Sequence, residues 1–221
     1  MLLLAFDTAT PAVTVALHGD DGVLAEHTEV DARRHGELLA PGIGKVLAAA
    51  GCSRTELTGV AVGVGPGPFT GLRVGLMTGR ALGDALGVPV HGVCTLDVLA
   101  AAVAAAGVAE PFAVATDARR REVYWARYDS TGRRAGEPAV DRPAEIAEQL
   151  AGLAVAGQGP RLYPEQFPHP LEPGLPSAGV LAGLVARLLR EDPAALLPPL
   201  PLYLRRPDAV EPGARKPVSQ A

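Results

Sequence analysis

The chain has 221 residues, 48% of them hydrophobic, which is enough apolar material for one large domain or two small ones. Aromatic residues make up only 4%, so the core must be mostly Ala, Val and Leu. The formal net charge of −4 excludes the basic excess of an autonomous nucleic-acid binder, and any RNA contact has to come through a local patch or a partner. Of the 20 basic residues 18 are Arg; with the heavy use of Ala, Gly and Pro, this fits a GC-rich coding background as readily as a function. Cys52 and Cys94 cannot build a disulfide framework and lack metal-site spacing. The start Leu2–Phe6 has no basic residues before it and meets Asp7 too soon for a signal peptide. The Ala-rich run Leu96–Ala109 contains Asp97 and is too short to span a bilayer, so a cytoplasmic protein without a membrane segment is expected.

Leu2–Phe6 reads as a first strand, closed by the turn chemistry of Asp7-Thr8-Ala9-Thr10-Pro11. Ala12–Leu17 and Val23–Val30 read as two more strands, with a hairpin signal in His18-Gly19-Asp20-Asp21-Gly22. A helix is predicted from about Arg33 to Ala50, with Leu39, Ile43, Val46, Leu47 and Ala50 on one face and Glu37, Gly44 and Ala48 opposite. Pro41 should kink it or delay its first turns. Gly59–Gly65 is a fourth strand, Thr70–Leu86 a second helix stopped by Gly87, Val88–Val93 a fifth strand and Leu96–Ala106 a third helix. An antiparallel meander followed by parallel crossovers is the ribonuclease-H-like α/β layout, and residues 1–107 make a complete domain of that kind.

Residues 108–206 begin the same way, with Phe112–Thr116 as a strand ending in Asp117 and Glu122–Asp129 as its hairpin partner. The copy then thins to a helix near Pro143–Leu150, a strand at Leu153–Ala156 and a helix at Ala178–Leu189, so a reduced second domain is expected. The proline-rich residues 207–221 are expected to be disordered.

Asp7-Thr8-Ala9-Thr10 sits where actin-like ATPases hold phosphate and metal-bound water with a carboxylate and hydroxyls. The plainer reading is a turn whose Asp and Thr cap backbone groups. Asp117 stands at the matching point of the second half, but Ala118-Arg119 follows it in place of a Gly-rich turn with a hydroxyl. In Gly63-Val64-Gly65-Pro66-Gly67-Pro68-Phe69-Thr70-Gly71 no Lys-Ser or Lys-Thr follows as a P-loop requires, and Pro66 and Pro68 remove N–H donors where a phosphate nest needs them. That block is a rigid turn.

Gly71, Gly75, Gly79 and Gly83 recur every fourth residue along the second helix. Each interior Gly costs a helix roughly 1 kcal/mol relative to Ala unless close packing compensates. They share the wheel with Leu72, Leu76, Leu82 and Leu86, while Val74, Thr78, Ala81 and Ala85 make a separate strip. Only Arg73, Arg80 and Asp84 form a narrow polar strip, so the helix should be buried on two sides, one on its own sheet and the other on a second-domain helix or another protein. His18, His27, His35, His91 and His169 form no metal pattern, and no Ser or Cys sits in a nucleophile elbow. His35 beside Glu37 reads as a base or, more simply, as a surface or interface histidine. Asp117, Arg119, Arg120, Arg121 and Glu122 crowd one hairpin turn, as solvated clusters do.

Several blocks resemble one family, the TsaB (YeaZ) family, over nearly the whole chain and in the right order. They are Asp7-Thr8-Ala9-Thr10, His35-Gly36-Glu37-Leu38-Leu39, Gly65-Pro66-Gly67-Pro68-Phe69-Thr70-Gly71-Leu72-Arg73, Asp117-Ala118-Arg119 with Glu122-Val123-Tyr124, and Tyr203-Leu204-Arg205. The resemblance implies an actin-like ATPase (ASKHA) fold and a non-catalytic dimerisation subunit that activates a TsaD-like enzyme, which transfers threonylcarbamoyl to the adenosine beside the tRNA anticodon. It implies a TsaE-like P-loop ATPase as a further partner, tRNA engaged through the complex, homodimerisation as the association open to the chain alone, no intrinsic cofactor, and nucleotide only at the partner interface. The first two helices would form that interface through His35, Leu38, Leu39, Leu72, Val74, Gly75, Thr78, Gly79 and Ala81. Arg73 and Arg119 are the candidates for contact with tRNA or another anion, and Asp7, Thr8, Thr10 and Asp117 would be degenerate phosphate-loop positions. Pro68 and Gly36 stand where Ser is common in the family, which removes a hydroxyl at each. Where a TsaD-like enzyme carries a His-x-x-x-His metal pair this chain has Thr95 and Leu99, neither a useful ligand, so no metal is expected. The rival reading is an active actin-like ATPase or small-molecule kinase using Asp7, Thr10 and Asp117, which would need two complete domains to close over a nucleotide.

Overall fold

In the computed structural model, which describes residues 1–205, ten strands form two five-stranded sheets. The expected disorder of 207–221 lies outside the described residues. The first sheet has the order β3-β2-β1-β4-β5, built from β1 (Leu3–Asp7), β2 (Ala12–Gly19), β3 (Gly22–Val30), β4 (Gly59–Gly63) and β5 (Val90–Val93). Central β1 pairs antiparallel with β2 and parallel with β4, so that Phe6 lies beside Val15 and Val62. It is covered on both faces, which is why its sequence is apolar from Leu3 to Phe6, ahead of the terminal Asp7.

Helices α1 (His35–Ala50) and α2 (Phe69–Leu86) pack on one face of this sheet, joining Leu38, Leu39, Val46, Leu72 and Leu76 to Leu4, Phe6, Val15 and Val62. Helix α1 runs through the exposed Pro41 without the expected delay. Its buried stripe is His35, Leu38, Leu39, Gly42 and Val46, shifted from the predicted face so that Ile43 and Leu47 are only half-buried. The α2 glycines are the side that meets the sheet. A Cβ on Gly79 would lie 2.5 Å from Val62 Cγ1, a contact only glycine permits.

The second sheet has the order β10-β9-β6-β7-β8, from β6 (Phe112–Asp117), β7 (Val123–Tyr128), β8 (Ala139–Asp141), β9 (Ala154–Ala156) and β10 (Pro170–Leu171). With β6 in the place of β1, it repeats the first sheet strand for strand: antiparallel to β7, parallel to β9. This half keeps five strands, but its crossover helices are short. Helices α4 (Pro143–Ile146) and α5 (Gly159–Leu162) have 4 residues each, against 16 in α1 and 18 in α2. Strands β8 and β10 went unpredicted because 3 and 2 residues are too few to show an alternating pattern.

The remaining helices, α3 (Thr95–Ala105) and α6 (Ala178–Glu191), are exchanged between halves. Leu96, Leu99, Ala100 and Val103 of α3 pack with Phe112, Val114, Ala126 and Tyr128 of the second sheet. Leu181, Ala182 and Val185 of α6 pack with Leu3, Ala5 and Ala16 of the first sheet, and the two helices meet through Val98. Each half supplies the helix that closes the other half's sheet. The chain then returns to the first sheet, where Gly92 and Leu197 exchange backbone hydrogen bonds of 2.8 and 2.9 Å and Leu202 N–H donates to the Val64 carbonyl at 2.8 Å. Among the described residues no helix is long and apolar enough to cross a membrane.

Candidate functional site

The β1–β2 loop is pressed under the starts of α2 and α3. Asp7 at its head is fully buried. Its Oδ1 accepts from the Ala9 N–H at 2.7 Å, and its Oδ2 accepts from the Thr95 hydroxyl at 2.7 Å. Gly63 leaves the room for it, since a Cβ there would overlap the carboxylate. Burial pushes the Asp7 carboxyl above its ordinary value, against the opposing pull of the two hydrogen bonds.

The Thr8 hydroxyl donates to the Gly71 carbonyl at 2.7 Å and accepts from the Gly75 N–H at 3.0 Å. It therefore bridges two backbone groups that an uninterrupted helix would join directly. This explains the first two glycines of the repeat. A Cβ on Gly71 would stand 2.7 Å from Thr8 O, and one on Gly75 2.6 Å from Thr8 Oγ1. Thr10 Oγ1 accepts from the Ala12 N–H at 3.2 Å, and His35 Nε2 donates to the Thr10 carbonyl at 2.8 Å. The carboxylate and the hydroxyl that a phosphate loop would present are both turned to internal use.

Asp117 ends β6 as Asp7 ends β1, and its Oδ1 accepts from the Arg119 N–H at 2.7 Å. Its other oxygen, though, pairs with the Arg119 guanidinium at 3.2 Å. Arg119, Arg120 and Arg121 stand at φ 59°, 55° and 61°, a left-handed turn of three non-glycine residues. Each such residue costs roughly 1–2 kcal/mol, and nothing in the sequence announces it. Arg205 pairs with Glu122 and donates from Nη1 to the Ala118 carbonyl at 3.2 Å, fastening the end of the described chain to this turn.

A hollow of about 260 Å³ opens between the two loops, with Thr8, Thr10, Arg33, Phe69, Val74 and Arg119 among its lining. Beside it runs the outer face of α1 and α2. There Val74 and Thr78 are half-buried and Met77, Ala81 and Ala40 exposed, so this apolar strip is not covered by the chain itself. Leu38, Leu39, Leu72, Gly75 and Gly79, expected on the partner side, are buried against the chain's own sheet and loop, because the glycine stripe points inward. His35 is likewise buried and serves as a donor to the loop backbone.

One contact had no local signal: Phe69 and Tyr203 stack with ring centroids 5.5 Å apart and planes at 19°, and Arg73 Cζ lies 4.7 Å from the Phe69 centroid. Only their membership of two motif blocks singled these residues out. Among the described residues no group of three His, Cys, Asp or Glu side chains is placed to hold a metal ion.

The family model described as TsaD, tRNA N6-adenosine threonylcarbamoyltransferase, matches residues 22–206. An uncharacterized protein of Mycobacterium tuberculosis is 48% identical over 209 residues, covering 94% of this chain and 93% of its own. The tRNA threonylcarbamoyladenosine biosynthesis protein TsaB of Escherichia coli is 38% identical over 175 residues, covering 75% of this chain and 74% of its own. Among solved structures, YeaZ from Pseudomonas aeruginosa superposes with a TM-score of 0.78 at 34% identity, over 92% of this chain and 99% of that one.

Proposed function

The chain belongs to the TsaB (YeaZ) family, and from that premise we propose that it is a non-catalytic, activating subunit of the machinery that makes threonylcarbamoyladenosine in tRNA. In this reading the outer face of α1 and α2 docks a TsaD-like catalytic subunit, a TsaE-like ATPase joins the assembly, and the complex works on tRNA in the cytoplasm.

The observation that carries the non-catalytic part is the state of Asp7. A carboxylate out of contact with solvent, with both oxygens already accepting hydrogen bonds, has no freedom to orient a phosphate-bound cation or an attacking water. Thr95 and Leu99, at the positions of the catalytic paralogue's metal pair, are fully buried, and Thr95 is the donor to Asp7. A nucleotide does not fit the loop either, because the Thr8 hydroxyl is engaged with α2 and Pro66 and Pro68 offer no N–H. What remains for an anion at a partner interface is the rim of the hollow, where Arg33 and Arg119 stand. The docking part is supported by α2, whose glycine side is filled by its own sheet and whose Val74-Thr78-Ala81 side is not.

Size-exclusion chromatography of the chain with the TsaD-like protein of the same organism should show co-elution. The pair, given the ATPase, tRNA and a threonylcarbamoyl donor, should form the modified nucleoside, and the chain alone should form none. Failure to co-elute, with or without nucleotide, would sink the pairing. Tight magnesium-dependent ATP binding by the isolated chain would revive the kinase reading.

A further inference from the structure

The Tyr203-Leu204-Arg205 segment takes no part in the sealed loop. It lies across the start of α2, where Arg73, Phe69 and Tyr203 form a continuous stack. Both rings are exposed, Phe69 by 45% and Tyr203 by 40%. In a chain with so few aromatics that placement is conspicuous, since Phe6, Phe112, Phe167 and Tyr128 are all fully buried. Two residues on, the Arg205 contacts with Glu122 and Ala118 hold the ring pair beside the Arg119–Arg121 turn. Arg33 and Arg119 line the same hollow as Phe69.

The acidic groups near the hollow are already engaged, Asp31 and Glu37 with Arg34. The two carboxylates of the turn, Asp117 and Glu122, are already paired with Arg119 and Arg205. Arg33 and Arg73 carry no ion pair among the described residues. In a chain of net charge −4, three guanidinium groups, of Arg33, Arg73 and Arg119, thus stand at the exposed Phe69 or in its hollow. Unpaired nucleotides are held by this combination, bases stacking on aromatic and guanidinium planes while arginines meet the phosphates. Duplex RNA has no free base faces to offer such a surface.

We propose that Phe69, Tyr203, Arg33, Arg73 and Arg119 form a platform for unpaired nucleotides of the tRNA in the assembled complex. This rests on the reading of the chain as a subunit of a tRNA-modifying complex. A base stacks on the ring pair and the arginines contact neighbouring phosphates. Two rings and a few cations add to affinity that the catalytic partner supplies, and do not make the isolated chain an RNA binder.

The test is tRNA binding by the chain–partner complex, followed by fluorescence anisotropy over a series of salt concentrations. Tyr203→Ala should weaken binding about tenfold by removing one stacking face. Tyr203→Phe, which keeps that face, should bind as the parent does. Arg33→Ala should flatten the slope of log affinity against log salt by about one. All three variants should co-elute with the partner as the parent does. Unchanged affinity and slope in a complex that binds tRNA would overturn the platform. So would loss of the partner from Tyr203→Ala, which would show that the rings face protein. If the parent complex does not form, or forms and binds no tRNA, the subunit reading fails and the platform falls with it.

Discussion

Asp7 is buried with two hydrogen bonds and no ion pair, and the consequence is a pH dependence opposite to that of a salt-bridged carboxylate. Its folded-state pKa lies above the ordinary 3.8 because burial outweighs the hydrogen bonds. Stability from this group is therefore full below the unfolded value and is lost as pH rises through the folded one. Asp7→Asn keeps the shape and removes the titration. As pH rises above roughly 4 the variant should lose less stability than the parent in urea melts, and parallel profiles would reject the assignment. Burial shifts Asp97 in the same direction, so the difference between variant and parent is the quantity that isolates Asp7. Thr8 makes its contribution through a hydroxyl that acts as donor and acceptor at once. Thr8→Val should cost about 1–3 kcal/mol by leaving the Gly71 carbonyl and the Gly75 N–H to a strained or absent bond, and Thr8→Ser should recover most of it. The sequence made the Asp-Thr turn legible, and with it the choice between phosphate loop and backbone cap. What the turn's own sequence does not show is Thr95, whose hydroxyl reaches Asp7 across 88 positions and has no local signature.

At the scale of elements, helix α2 has two sides that respond differently to substitution. Gly79→Ala gains roughly 1 kcal/mol of helix propensity but sets its Cβ against Val62, and overpacking of about 1–3 kcal/mol should leave the protein less stable. Gly44→Ala on α1, with nothing within 4 Å of the new Cβ, should instead raise stability by up to about 1 kcal/mol. Opposite signs in chemical denaturation would confirm which glycines are packing devices. On the other side, Thr78→Arg should leave the melt within about 0.5 kcal/mol of the parent yet prevent co-elution with the proposed partner, the TsaD-like protein of the same organism. Normal association would show that this face is not the interface. A four-residue glycine period says that a helix is approached closely, but not by what. The Cβ positions answer that: the near body is the chain's own β1–β2 loop and sheet. The hairpin turn at Arg119–Arg121 was legible but its left-handed backbone was not, because left-handed arginine has no compositional signal of the kind that glycine or asparagine provides.

In the whole molecule, the exchange of α3 and α6 makes two pseudo-repeats into one interior. Strand order could be read from the alternation of apolar runs and turns, but a helix pattern does not say which sheet the helix will cover. Leu3, Ala5, Ala16 and Ala61 depend on α6, more than 100 residues away, and the second-sheet residues Phe112, Val114 and Tyr128 depend on α3. Removing either helix uncovers a sheet face that cannot be satisfied within its own half, so the halves should unfold together. The chain's single tryptophan allows a direct check. Trp125 lies on β7 with its Nε1–H donating to Asp141 at 2.8 Å, so its fluorescence reports the second half alone, whereas far-UV circular dichroism reports the whole. The two probes should give superimposable urea transitions with one midpoint. A fluorescence midpoint separated from the dichroism midpoint would mean that the second half melts on its own and that the exchanged helices do not couple the sheets. For the same reason residues 1–107, expressed without α6, should fail to give a cooperative transition, although they contain every strand of the first sheet.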